Sequence, residues 1–252
     1  MTSVRSGDGQ RRGEAALTRP GVATPGEAAA WDALRERVTI SLRPLGAATA
    51  LGFLGLTAAT WVLASLQLGW VAAADGRRVA LVLLGFAFVA QLTASVFGFL
   101  SRDGGVGTAM GQLALIWLVV SVSMLSLAPG ARSNALGMFL VFAGVSLLLT
   151  AGVTAISKVV PAVIFALAGI RFLTTGTYEL GAGEGWEDAS GLLGLALAAL
   201  ALYAAFASQL EDALGKPVLP LGRRGRAKIA LHGSLLEQVR HTPNEPGVRT
   251  ML

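Results

Sequence analysis

Six stretches of the chain, residues 45–68, 79–100, 106–127, 134–153, 159–174 and 190–208, are apolar almost without interruption, and only the fifth carries a charge, Arg171. A bilayer core about 30 Å thick is crossed by roughly 20 helical residues. The pattern therefore predicts an all-α polytopic membrane protein with six transmembrane helices in one domain, residues 45–208. Short polar turns separate the stretches: Trp70, Asp75, Arg77 and Arg78 after the first, Arg102 and Asp103 after the second, Pro129 and Gly130 after the third, and Lys158 before the fifth. Residues 176–188, with Tyr178, Glu179, Glu184, Trp186 and Glu187, read as a polar, acidic loop before the sixth.

In the first stretch Thr49, Gly52, Phe53, Leu56 and Thr60 recur at three- and four-residue steps. One helical face thus gathers two hydroxyls, a glycine and two bulky apolar groups. Such a face suits either packing against other helices or the wall of a path. Gly52 and Gly55 open neighbouring faces to close approach, and Gly107 and Gly111 do the same in the third stretch as a GxxxG pair.

Outside these stretches the hydrophobic period fades. Residues 1–30 are rich in Gly, Ala, Pro and Arg and read as a disordered cytoplasmic tail. Residues 31–44 mix Trp31, Leu34, Val38, Ile40 and Leu42 with Arg35, Arg37 and Arg43, an interfacial segment leading to Pro44, which suits a helix start. After the sixth stretch, residues 209–222 end a helix at Gly215 and turn through Pro217 and Pro220. Residues 223–252 read as a cytoplasmic tail, with Leu231, Leu235, Leu236 and Val239 along one side of a short amphipathic segment, 229–239.

Composition agrees: 54% of residues are hydrophobic and 14% charged, and the mean hydropathy is +0.64, far from the soluble average of about a quarter charged. The net charge of +5 sits at the two ends, in Arg35, Arg37 and Arg43 and in Lys216, Arg223, Arg224, Arg226 and Lys228. The excess of positive charge on cytoplasmic flanks puts both ends in the cytoplasm and the acidic stretch outside. That accounts for the basicity without a nucleic-acid partner and leads us to expect a multi-pass plasma-membrane protein.

Chemistry is sparse. There is no cysteine, His232 and His241 lie in the last stretch of chain, and between residues 44 and 174 the only acids are Asp75 and Asp103, both in turns. Paired carboxylates, thiols and metal-ligand clusters are thus missing from the apolar stretches, so neither an enzyme nor a cofactor or metal is expected. Glu179, Glu184, Glu187 and Asp188 are expected to be solvated. What the stretches do offer is uncharged: Thr49, Thr57 and Thr60, then Gln91, Thr93 and Ser95, then Thr108 and Gln112. These either bond helix to helix or line a path. Lys158 and Arg171 bracket the fifth stretch, and both are expected to snorkel to the interfaces. The other reading has one of them draw an anion to a pore mouth.

Residues 203–222, YAAFASQLEDALGKPVLPLG, together with TALGF at 49–53, Ala90-Gln91 and Trp117, resemble the acetate uptake transporter family of succinate and acetate permeases. Gly215, Val218, Leu219, Pro220 and Gly222 match the family's ending, and Leu51 and Gly52 match the close of its first-helix signature N-P-A-P-L-G-L, whose Asn and prolines are absent here. The resemblance implies six-helix protomers assembled as a homo-oligomer, a hexamer, each with its own path for a small carboxylate. It also implies an apolar constriction from the first, third and fifth helices, at Leu56, Leu113 and Ala166, with Thr49, Thr57, Thr60, Gln91 and Gln112 as polar groups of the path. The family usually has aromatic groups at the first two of these positions. Apart from the resemblance, a scaffold or sensor acting through its tails, or a pore for another small solute, is an open alternative.

Overall fold

A computed structural model describes residues 48–225 except Arg102, together with Gly26 and Lys228. The readings placed on residues 1–44 and 229–252 lie outside the described residues. The architecture belongs to the unit Leu45–Leu252.

Among the described residues six helices are long and apolar enough to cross a membrane. They are α1 (Thr49–Gln67), α2, α3 (Gly104–Ser126), α4 (Asn134–Ala155), α5 (Val159–Glu179) and α6 (Gly185–Leu214). Helix α2 is a continuous run of Gly76–Val82, a π-helical stretch Leu83–Phe88 and Val89–Leu100. A π turn changes the helical register, a feature that a count of apolar residues does not reveal. Among the described residues there is no strand, only an isolated bridge between Lys158 and Arg223.

The acidic stretch at 176–188 is the main correction. It is not a loop: α5 continues to Glu179 and α6 begins at Gly185, leaving residues 180–184 as the connection. Hydrocarbon thickness sets how long an apolar run must be, whereas a helix extends beyond it for as long as its polar residues are solvated or bonded. Glu187 and Asp188 fall in the first turn of α6, where the helix dipole favours acids. Helix α2 likewise begins earlier than expected, at Gly76, so Arg77 and Arg78 are helical, with Arg78 paired to Asp75.

Each helix packs on its neighbours in the chain, and α6 closes on α1, so the helices form a ring. Small residues set the approach. A Cβ added at Gly52 would come 2.9 Å from the Ala94 Cβ and 2.7 Å from the Met110 sulfur. One added at Gly98 would lie 2.8 Å from the Gly107 nitrogen, and the Gly111 position faces the Ser95 hydroxyl at 2.8 Å. The GxxxG pair thus meets α2. Within the ring lie Phe53, Leu56, Met110, Leu113, Trp117, Ile164, Phe165, Phe172 and Leu197, all buried. Trp117 of α3 tilts against Phe172 of α5, ring centres 5.4 Å apart. Outward faces carry Trp61, Phe86, Phe142, Leu149 and Val153, as a lipid-facing surface does.

Candidate functional site

At the end of the bundle where α1 and α5 begin and α6 ends, a pocket of about 290 Å³ is lined by Thr49, Phe53, Lys158, Pro161, Ser208, Glu211, Asp212, Lys216 and Arg223 among others. The segment after α6 builds one wall. Gly215 ends the helix at φ +61°, and the chain returns to the start of α5, where the Val159 and Val160 N–H groups donate to the Gly222 and Leu221 carbonyls at 3.0 and 3.2 Å. No side chain caps α5, so these carbonyls satisfy backbone donors that a helix start leaves without partners. Tyr203 donates its hydroxyl proton to the Pro220 carbonyl at 2.9 Å. Gly222 sits at φ +66°, and a Cβ there would press to 2.7 Å from the Val159 Cβ. Of the motif residues, Val218 is exposed and Leu219 packs on the core. Leu51, in the first-helix match, faces outward.

Charges around the pocket are mostly paired: Lys158 with Asp103 and Arg223 with Glu211, each at 2.6 Å. Its lining holds three cations, Lys158, Lys216 and Arg223, against two carboxylates, Glu211 and Asp212. The positive ends of the α1 and α5 dipoles point the same way, and α1 has neither a side-chain cap nor an acid in its first turn. With Asp103 counted, three cations face three carboxylates, so what the site offers a small anion is the two helix starts rather than a net charge.

Deeper in the bundle, Phe53 leads to Leu56, and Leu56 and Leu113 are both fully buried in one apolar cluster. Ala166 is only partly buried at the edge of that cluster, while Ile164, Phe165, Ala168 and Phe172 are the side chains of α5 that fill the interior. The polar candidates separate into groups. Thr49 lines the pocket. Thr57 and Thr60 donate to carbonyls of their own helix, Phe53 and Leu56, at 2.9 and 2.8 Å, so their protons are engaged locally. Gln91 is buried and donates to the Gly52 carbonyl at 3.3 Å, with its Oε1 lacking a partner. Gln112 stands between α3 and α4, donating to Ser146 at 2.9 Å and accepting from Thr150 at 3.1 Å.

Arg171 corrects an expectation: it does not snorkel. Because α5 runs on to Glu179, Arg171 lies eight residues from the helix end, roughly 12 Å at the α-helical rise, and it is fully buried. Its Nε donates to the Ser190 carbonyl at 3.2 Å and its Nη2 to Gln67 Oε1 at 3.0 Å. Gly194 makes room for it, since a Cβ there would lie 2.7 Å from Nε. Lys158, by contrast, remains partly exposed beside Asp103. Glu179, expected in a solvated loop, instead accepts from the Ser133 N–H at 2.8 Å next to the start of α4. Nearby, the Arg132 guanidinium lies 3.9 Å over the Tyr178 ring. The sequence signal for both departures was the run Thr174, Thr175 and Thr177, which carries hydroxyls able to bond back to a continuing helix.

No family model and no curated protein matches this chain in sequence. Among solved structures, that of the bacterial acetate channel SatP is similar, with a TM-score of 0.63 and 24% identity, covering 71% of this chain and 99% of the channel. The chain thus has the six-helix fold of the bacterial acetate channel, the fold that its resemblance to the acetate uptake transporter family implies.

Proposed function

We propose that the chain passes acetate or a similar small monocarboxylate across the membrane, by a path inside each six-helix protomer. The observation that carries this reading is the likeness of fold, which extends over 99% of an acetate channel. The pocket supports it: a carboxylate has one charge and little surface, and a small cavity at two helix N-termini suits it. From Thr49 and Phe53 the path continues past Leu56 and Leu113, where the apolar cluster is closed and bars hydrated ions. Gln91, with an amide oxygen free in the interior, is the polar group best placed beside that cluster. The predicted stretches contain neither His nor carboxylate, so a proton that accompanies the substrate travels on the acid itself or through water. Protomers assemble in the plasma membrane as a homo-oligomer, a hexamer by the family resemblance.

Uptake of radiolabelled acetate into proteoliposomes holding the purified protein tests this, with unlabelled succinate, lactate and formate as competitors. Uptake above empty liposomes, suppressed by the competitors, is the expected result. Folded protein that gives no uptake overturns it. Collapsing the proton gradient is expected to slow uptake, and an unchanged rate removes the coupling.

A further inference from the structure

Arg171 is a fully buried guanidinium inside a membrane-spanning helix, and among the described residues no carboxylate lies within 4.0 Å of it. A guanidinium carries five N–H donors. Two hydrogen bonds engage it, through Nε to the Ser190 carbonyl and through Nη2 to Gln67, while Nη1 is buried without an acceptor. Its surroundings are neutral: Gln67 also donates to the Ser190 hydroxyl at 3.2 Å, and that hydroxyl meets Thr175. A charge held in the membrane interior with donors to spare calls for an anionic partner, and such residues mark ion and substrate sites. The guanidinium itself supplies the second observation: its Nη1 is fully buried and lacks an acceptor although Gly194 leaves room beside the group.

We infer that Arg171, with Gln67 and Ser190, forms an anion subsite among α1, α5 and α6 that takes the carboxylate of a small monocarboxylic acid. The planar fork of the guanidinium suits two carboxylate oxygens where a lysine would offer only a point charge. The subsite lies toward the opposite end of the bundle from the pocket at Thr49, because α1 ends at Gln67 and α6 has just begun at Ser190. Gln67 and Thr175 are only partly buried and form its rim toward that end. The identity of the anion rests on the proposed function, whereas the subsite itself does not.

The test measures binding apart from transport. Thermal unfolding of the detergent-purified full chain is followed in sodium acetate, with sodium chloride and sodium gluconate at equal ionic strength as references. A ligand that binds only the folded state raises the melting temperature with its concentration. The expected result is stabilisation by acetate above both references, with the concentration for half the effect raised at least about tenfold in Arg171→Gln and Arg171→Lys. Gly194→Ala, which crowds the guanidinium without removing it, is expected to weaken the effect as well. A wild-type protein that acetate leaves unchanged overturns the subsite, and so does an undiminished acetate effect in folded Arg171→Gln. If chloride stabilises as well as acetate and Arg171→Gln abolishes both, the carboxylate assignment falls. Acetate stabilisation without acetate uptake sinks the permease reading and leaves the subsite standing. Uptake that is identical in wild type and Arg171→Gln sinks the subsite and leaves the permease.

Discussion

Gly144 of α4 and Gly169 of α5 meet backbone to backbone: a Cβ on the first would lie 2.7 Å from the Gly169 carbonyl oxygen, and a Cβ on the second 2.8 Å from the Gly144 carbonyl oxygen. One heptad away Gly137 and Gly176 repeat the arrangement at 3.0 and 2.9 Å. A heptad in the other direction Ala151 and Ala162 are both buried. Two antiparallel helices with the same seven-residue spacing of small residues keep one seam in contact along their length. In a membrane, where burial of apolar surface between helices brings no hydrophobic gain, this closeness is what holds the pair.

Gly169→Ala is therefore expected to destabilise the bundle by about 1–3 kcal/mol, since its methyl meets backbone that cannot rotate away. Gly152, in the same α4 but with nothing within 4 Å, is the control. Its change to Ala is expected to be neutral or to stabilise by up to about 1 kcal/mol through helix propensity. Thermal unfolding of both variants in detergent decides the matter. Equal melting temperatures for the two would mean that the seam does not bear on stability.

The two glutamines differ in role. Gln112 is satisfied at both ends by Ser146 and Thr150, so Gln112→Leu is expected to lower stability by about 0.5–1 kcal/mol and to leave acetate uptake largely intact. Gln91 makes one long bond and has an orphaned oxygen, so Gln91→Leu is expected to cost little stability and to change uptake. Paired measurements of melting temperature and uptake separate them. Finding the uptake loss in Gln112→Leu and not in Gln91→Leu would reverse the assignment.

These differences show what the sequence made legible. Helix number and order follow from apolar length, because hydrocarbon sets a minimum that all six helices meet. Helix ends do not, as α5 and α6 show: beyond the hydrocarbon a helix continues on hydroxyls and acids that also suit a loop. Period put Thr49 and Leu56 on one helical face, and Leu113 entered through the family resemblance; both leucines are buried. Arg171 was not legible as an interior residue, because a single charge near the end of an apolar run fits an interface as well as an interior until the helix is known to continue. The glycine seam was present in the spacing of 137 and 144 against 169 and 176, but only the antiparallel pairing of α4 with α5 gives that spacing meaning.

The closing segment offers a third expectation. Gly222→Ala places a side chain at φ +66° and against Val159, which costs on the order of 1–3 kcal/mol locally. The Val159 and Val160 amides, which donate to Gly222 and Leu221, are then expected to exchange with solvent deuterium faster. Tyr203→Phe, which removes one hydrogen bond to Pro220, is expected to cost about 1 kcal/mol and to show a smaller change in the same amides. Unaltered exchange in Gly222→Ala would show that the segment does not cap α5.

Leu113 bears on the constriction proposed for the path. It is fully buried in the cluster that holds Leu56, Phe53 and Trp117, so shortening it to Ala removes packing on every side. Two effects follow from the same cavity. Stability falls by about 2–5 kcal/mol, as for other buried leucines, and the proposed constriction widens by the lost volume. If that constriction controls passage, uptake of the larger lactate rises relative to acetate in Leu113→Ala, while Leu140→Ala, an equally buried leucine on α4, loses stability without altering the ratio. Competition of lactate against labelled acetate in proteoliposomes reads the ratio directly. The comparison between two leucines of equal burial separates a gate from a core residue, since a general loosening of the bundle would change the ratio in both.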